Sequence, residues 1–161
     1  MPTQLHRKDP TQRKAKTVLV IEDDKVTLKV LDHMIKGAGY RVVTAADAAE
    51  ALKAIRLERP ALIVADVSLN IEASGHEWDG FQVLEWMKYH YPEHQGQAIV
   101  ISVSDPVKIR RRAVAAGAFG FVGKPIVKNL LLEEIKRAIG DPFGVARHGE
   151  TSFFRRHISL Q

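Results

Sequence analysis

The sequence predicts an α/β fold, a doubly wound parallel sheet of five strands with helices on both faces. Three observations carry this. Short, continuous apolar runs, too short for independent helices, recur along the chain, as in Thr17-Val18-Leu19-Val20-Ile21, Ala61-Leu62-Ile63-Val64-Ala65 and Ala98-Ile99-Val100-Ile101. Such runs are what a strand buried on both faces requires. Between them lie longer segments with apolar residues at helical spacing, and strands alternating with helices imply right-handed crossovers and a parallel sheet. Finally, several runs end in a carboxylate or a hydroxyl, and the carboxyl ends of such strands are where these sheets bind ligands.

Each element has its own signal. The first strand, 17–21, runs into Glu22-Asp23-Asp24, with Asp24 placed to cap a helix carrying Val26, Val30, Leu31, Met34 and Ile35. Gly37 or Gly39 stops that helix. Arg41 to Thr44 is a short second strand, and Asp47 to Leu57 an Ala-rich helix with Ala48, Ala51, Leu52 and Ile55 inward, closed by Pro60. The third strand ends in Asp66, after which Ser68 to Asp79 reads as irregular. Phe81, Val83, Leu84, Trp86 and Met87 define a third helix, broken near Pro92. The fourth strand ends in Ser102. Asp105-Pro106 opens a helix to about Ala116, with Gly117 as its stop. Phe119 to Val122 is the fifth strand, Lys124-Pro125 follows it, and Leu130 to Ile139 forms the last amphipathic helix.

Composition narrows the class. A chain of 161 residues with 45% hydrophobic and 27% charged residues suits one globular domain. It has no cysteine, so disulfides and thiolate metal sites are excluded. The N-terminus lacks the apolar core of a secretory signal and no run is long enough to span a membrane, so a cytoplasmic location is expected. The net charge of +5 belongs to the ends: Arg7, Lys8, Arg13, Lys14 and Lys16 against Asp9 make 1–16 a basic, flexible tail. Arg147, Arg155 and Arg156 against Asp141 and Glu150 leave 141–161 slightly basic, and 17–140 is neutral. No nucleic-acid reader motif accompanies the tails, so solvated ends are the simpler reading and nucleic acid is not the expected partner.

The strand ends carry the chemistry. Glu22-Asp23, Asp66, Ser102 and Lys124 arrive at one edge from four strands. Clustered carboxylates repel one another, and a hard divalent cation such as Mg²⁺ offsets that repulsion and keeps them ionised. A lysine and a hydroxyl opposite can hold the other oxygens of a phosphoryl group, which suits phosphoryl transfer to a carboxylate. Residue by residue, these groups could equally cap a helix or begin a loop; their convergence is what favours a site. No glycine-rich phosphate loop follows the first strand, and no Gly-x-Ser-x-Gly elbow is present.

With these residues in place, residues 17–140 resemble the receiver domain of two-component response regulators. The resemblance rests on Leu19-Val20-Ile21-Glu22-Asp23-Asp24, the strand ending in Asp66, Asp79-Gly80, Ser102, Ala116-Gly117-Ala118 and Lys124-Pro125. It implies a flavodoxin-like sheet of strand order 2-1-3-4-5. It also implies that Asp66 accepts a phosphoryl group from a histidine kinase or phosphotransfer protein. Mg²⁺, for which Mn²⁺ can substitute, would be held by Asp23, Asp66 and the backbone carbonyl of Ser68, with Glu22 acting through water. Lys124 and Ser102 would bind phosphoryl oxygens. Ser102 and Phe121 would act together as the switch, and the Lys124–Pro125 bond would be cis. The domain would be no enzyme beyond Mg²⁺-dependent self-phosphorylation and dephosphorylation. It would signal to a protein partner through helix 105–116, strand 119–122 and helix 128–139. That face carries Lys108, Arg110, Arg111, Arg112, Lys128, Lys136 and Arg137 against Asp105, Glu133 and Glu134.

The sequence departs from the family at two places. The stretch from Asp66 to Asp79 is longer than usual and lacks the usual proline; the added residues, about 71–78, read as a solvated insertion that puts Glu72, His76, Glu77 and Trp78 near the rim of the site. Residues 141–161 are too few for an output domain, so a stand-alone receiver is expected. A phosphorylation-independent interaction module, binding protein or through its tails nucleic acid, is the alternative. The His90/His94 pair has zinc-like spacing but is divided by Pro92, and Tyr40, Trp86 and Phe119 are expected in or around the core.

Overall fold

A computed structural model describes residues 14–68, 71–73, 76–94, 97–103 and 106–144. In chain order the elements are β1 (Thr17–Ile21), α1 (Lys25–Gly37), β2 (Arg41–Ala45), α2 (Ala48–Glu58), β3 (Leu62–Asp66), β4 (Ile71–Ala73) and β5 (His76–Trp78). Then come α3 (Gly80–His90), a 3₁₀ turn (Pro92–His94), β6 (Ala98–Ser102), α4 (Pro106–Ala115), β7 (Gly120–Gly123) and α5 (Lys128–Ile139). The main sheet is parallel throughout with order β2-β1-β3-β6-β7. Leaving aside the β4–β5 pair, this is the expected order 2-1-3-4-5.

The double burial of the strands explains their unbroken apolar character. Alternate residues of a strand point to opposite faces. Leu19, Ile21, Ile63, Ala65 and Val100 meet Ala48, Ala51, Ile55, Phe81, Leu84 and Ala113 of α2, α3 and α4 on one side. Val18, Val20, Leu62, Val64, Ile99 and Ile101 meet Leu31, Ile35, Leu131 and Ile135 of α1 and α5 on the other. With helices covering both faces, the carboxyl ends of the strands are the part of the sheet at which polar groups can gather.

The start of α1 behaves as its sequence predicts, and two further aspartates cap α2 and α3. Asp24 accepts hydrogen bonds from the Thr27 amide at 2.8 Å and the Thr27 hydroxyl at 2.6 Å. Asp47 caps α2 through the Glu50 amide at 2.7 Å, while Glu50 reaches back to the Ala46 amide at 2.8 Å. Asp79 and Gln82 form a reciprocal capping box on α3. The cap expected from Asp105 lies outside the described residues.

Four expectations change. The segment after Asp66 contains an antiparallel hairpin in which Ile71 pairs with Trp78, Glu72 with Glu77 and Ala73 with His76. Its β4 strand runs beside α2, and Trp78 is half-buried against the core, so the insertion is a folded ribbon. The side chains of Glu72, His76 and Glu77 lie outside the described residues. The last strand begins at Gly120, one residue later than the sequence suggested.

The third change concerns the tails. Residue 16 is held in place: its amide donates to Pro142 O at 2.9 Å, its carbonyl accepts from the Arg41 amide at 3.0 Å, and its ammonium donates to Ile139 O. The Tyr40 hydroxyl closes the same corner on Gly140 O at 2.7 Å. Residues 1–13 and 145–161 lie outside the described residues.

The fourth concerns charge on α4 and α5. Glu134 is buried and paired with Arg137 at 2.5 Å, and Arg112 turns toward α3, where it meets Asp79 at 2.6 Å and stacks 4.7 Å over the Phe81 ring. Glu134 fits there because Gly120 has no side chain: a Cβ on Gly120 would stand 2.8 Å from Glu134 Oε2. Lys136 is paired with Asp141 at 2.9 Å.

Candidate functional site

Asp66 is the last residue of β3, and its neighbour on β6 is Ile101, the residue before Ser102. The sheet register therefore puts the Asp66 and Ser102 side chains at adjacent strand ends without any help from loops. β1 ends one residue before Glu22, and β7 one before Lys124. Lys124 is tied to the same edge by its backbone, whose N–H donates to Ser102 O at 2.9 Å. The Lys124–Pro125 peptide bond is cis.

At the centre sits one ammonium between two buried carboxylates. Lys124 Nζ donates to Glu22 Oε2 at 3.0 Å and also to Asp66 Oδ2. Glu22 is 1% exposed and Asp66 3%. The second oxygen of each carboxylate is held by backbone: the Ser68 amide donates to Asp66 Oδ1 at 2.7 Å, and the Asp24 amide to Glu22 Oε1 at 3.2 Å. Asp23, between Glu22 and the α1 cap, is exposed, and Ser102 is 1% exposed.

The charge balance follows from burial. Desolvation pushes the Glu22 carboxyl up from its ordinary range and the Asp66 charge adds to this, while bonds from Lys124 and the Asp24 amide oppose it. For Lys124, desolvation alone would lower the ammonium, but its bonds to Asp66 and Glu22 outweigh that and the net shift is upward. The pocket thus keeps its cation firmly and holds more carboxylate than one ammonium neutralises.

Among the described residues, no three His, Cys, Asp or Glu side chains gather closely enough to hold a metal ion alone. The carboxylate oxygens at this edge, from Asp66, Glu22 and Asp23, are hard donors of the kind Mg²⁺ takes, an ion that keeps much of its water and binds proteins through one or two carboxylates. The His90 ring lies tilted against Trp86, with centroids 4.5 Å apart, and meets Tyr89 edge-on at 5.0 Å; the His94 side chain lies outside the described residues.

Phe121 is buried in the core shared by α2, α3 and α4, so its ring points inward. Two contacts escaped the sequence. The Ser68 amide is a direct partner of Asp66, whereas the sequence offered only its carbonyl. Gly80 approaches the Asp66 backbone closely, and Asp79-Gly80 was its only signal.

A doubly wound sheet with an acidic pocket and a lysine at its carboxyl edge is the architecture of a receiver-type signalling domain. Residues 18–136 match the response regulator receiver domain, and the chain belongs to that family, which works in two-component signalling. It is similar to the polar-differentiation response regulator DivK of Brucella anthropi, with 29% identity over 131 residues, covering 78% of this chain and 98% of that protein. It is 31% identical over 121 residues to a putative NtrX-like response regulator of Rickettsia bellii, of which it spans 24%. Among solved structures, the chemotaxis response regulator CheY4 of Vibrio cholerae superposes with a TM-score of 0.68 at 26% identity, over 78% of this chain and all of that one. A CheY-like receiver protein from Methanospirillum hungatei gives 0.66 at 27%, covering 76% and 92%.

Proposed function

We propose that this receiver is a phosphorylation-operated switch in which Asp66 is the phosphoacceptor. The observation that carries the reading is Lys124 bridging Glu22 and Asp66 in a buried pocket with Ser102 on the adjoining strand. An Asp66 carboxylate oxygen attacks the phosphorus of a phosphohistidine, the P–N bond breaks, and its electron pair returns to the imidazole nitrogen. Asp66 is ready for this because Ser68 and Lys124 fix both its oxygens and keep it from rotating. Lys124 stays beside the acceptor to offset the charge it gains, and the Ser102 hydroxyl supplies a donor from β6. Asp66, Asp23 and the Ser68 carbonyl would hold Mg²⁺, with Glu22 through water, and the ion would supply charge neutralisation. The phosphodonor is a histidine kinase or a phosphotransfer protein.

The test is incubation with Mg²⁺ and acetyl phosphate followed by intact mass. One phosphoryl group should add to the wild type and none to Asp66→Asn, and chelation should prevent the addition. Labelling of Asp66→Asn at the wild-type rate would refute the assignment.

Output is proposed to leave through α4, β7 and α5 to a protein partner with an acidic contact surface. The basic residues of this face that support this are Lys108, Arg110, Arg111 and Lys128, in addition to Arg112, Lys136 and Arg137, which also pair with Asp79, Asp141 and Glu134. Exposed Val107 and Leu130 add apolar area to the same face. Reversing Arg110 and Arg111 to Glu should abolish partner capture that depends on phosphorylation. Equal capture by wild type and variant would place the interface elsewhere.

A further inference from the structure

Gly80 opens α3 directly behind its cap, Asp79. A Cβ placed on Gly80 would stand 2.2 Å from the carbonyl oxygen of Asp66, 2.9 Å from its carbonyl carbon and 3.0 Å from Val67 Cα. All three neighbours are backbone, so no side chain can swing away to make room. That backbone is also pinned: Asp66 pairs with Ile101, and the Val67 amide donates to Ile101 O at 3.0 Å. The other wall is equally fixed. Phe81 and Leu84 are buried in the core, the capping box holds the first turn, and Lys88 donates to Ala115 O at 2.9 Å. Gly80 has no left-handed backbone requirement, so the demand at this position is for space alone.

We propose that Gly80 is a positioning residue for phosphoryl transfer at Asp66. By carrying no side chain it lets α3 seat on the Asp66 carbonyl, which sets the 66–68 turn that carries the acceptor carboxylate and the Ser68 backbone. This rests on the reading of Asp66 as phosphoacceptor. An added methyl forces the end of β3 and the start of α3 apart by about 1 Å, a displacement that costs a reacting group up to about a hundredfold in rate. Lys124, anchored from β7 and Ser102, does not follow that movement, so the Asp66–Lys124 contact is lost first.

The test compares wild type, Gly80→Ala and Asp79→Ala. Asp79→Ala destabilises α3 by removing its cap without adding an atom near Asp66. Each protein is labelled with acetyl phosphate and Mg²⁺, and the rate is referred to the folded fraction from circular dichroism. Sucrose raises that fraction where a variant is partly unfolded. Mg²⁺ is titrated in parallel against the Ser68 amide resonance. Gly80→Ala should label at least tenfold more slowly per folded molecule and bind Mg²⁺ more weakly, while Asp79→Ala stays within about twofold of wild type. A wild-type rate in Gly80→Ala, or equal slowing in both variants, overturns the positioning role. Wild type that does not label at Asp66 overturns the phosphoacceptor reading instead.

Discussion

Replacing Lys124 with Met keeps most of the side-chain volume and removes the charge that two buried carboxylates share. Both carboxylates touch the same nitrogen, Glu22 Oε2 at 3.0 Å, so their nearest oxygens lie within about 6 Å of each other. Two unit charges at that distance repel by about 3 kcal/mol at an effective dielectric constant of about 20. Breaking a buried pair costs about 3–5 kcal/mol. The Lys124 side chain is 21% exposed, so water compensates part of this and a loss of about 3 kcal/mol is expected. Urea unfolding monitored by circular dichroism, in chelator and again in millimolar Mg²⁺, measures it. With the ammonium gone, a divalent cation becomes the remaining counter-charge, so Mg²⁺ should stabilise the variant more than the wild type. A loss under about 1 kcal/mol, or the same Mg²⁺ increment in both proteins, would refute the account of Lys124 as the shared counter-ion.

Two further outcomes are expected. Tyr40→Phe removes the hydroxyl bond to Gly140 and should cost about 1 kcal/mol in urea unfolding. Burial, then the Asp141 charge, push the Tyr40 phenol up to about 12, above its unfolded value near 10; wild-type stability should therefore fall as pH rises from about 10 to about 12, and the Phe variant should lack that limb. Replacing residues 70–77 by a short turn, with Trp78 kept, should alter the rate at which the acetyl phosphate label is gained or lost, because the hairpin is rooted between Ser68 and Asp79; unchanged rates would make it a passive insertion.

Most of the site was legible because its residues stand at strand ends, where an apolar run gives way to one polar group. Asp66, Ser102 and Glu22 could each be placed by that rule alone, and parallel topology then brought them to one edge. The Asp24 cap was legible for the same reason, since it precedes a helical pattern, whereas Asp47 read as part of its helix and Asp79 only as the start of one. The hairpin was not. Ile-Glu-Ala and His-Glu-Trp are three residues each, too short for an alternating pattern to rise above a loop. Glu134 was misplaced on the outer face because nothing in a helical pattern reveals that a glycine on the facing strand leaves room for a carboxylate. Gly80 shows the same limit: the sequence displays the glycine, but the backbone oxygen that excludes a side chain comes from a residue fourteen positions earlier.

Lys124 joins the chemical end of the domain to its outward-facing end by two bonds from one residue. Its ammonium senses the charge on Asp66, and its amide is bound to Ser102 O at the end of β6, from which the chain continues into α4. A ligand shifts an equilibrium only by its different interaction with the two states. On the reading of Asp66 as phosphoacceptor, a phosphoryl group there would change what the ammonium, the Ser102 hydroxyl and the 66–68 turn each face, and all three differences would arise at the same strand ends. The far end of α4 is held independently, by Arg112 on Asp79 and by Lys88 on Ala115 O. If Asp66 is the phosphoacceptor, a helix held at its last turn is expected to respond at its first. Val107 and Lys108 stand in that first turn, with Arg110 and Arg111 in the next, and a change on this surface when the pocket's charge changes is the expected outcome.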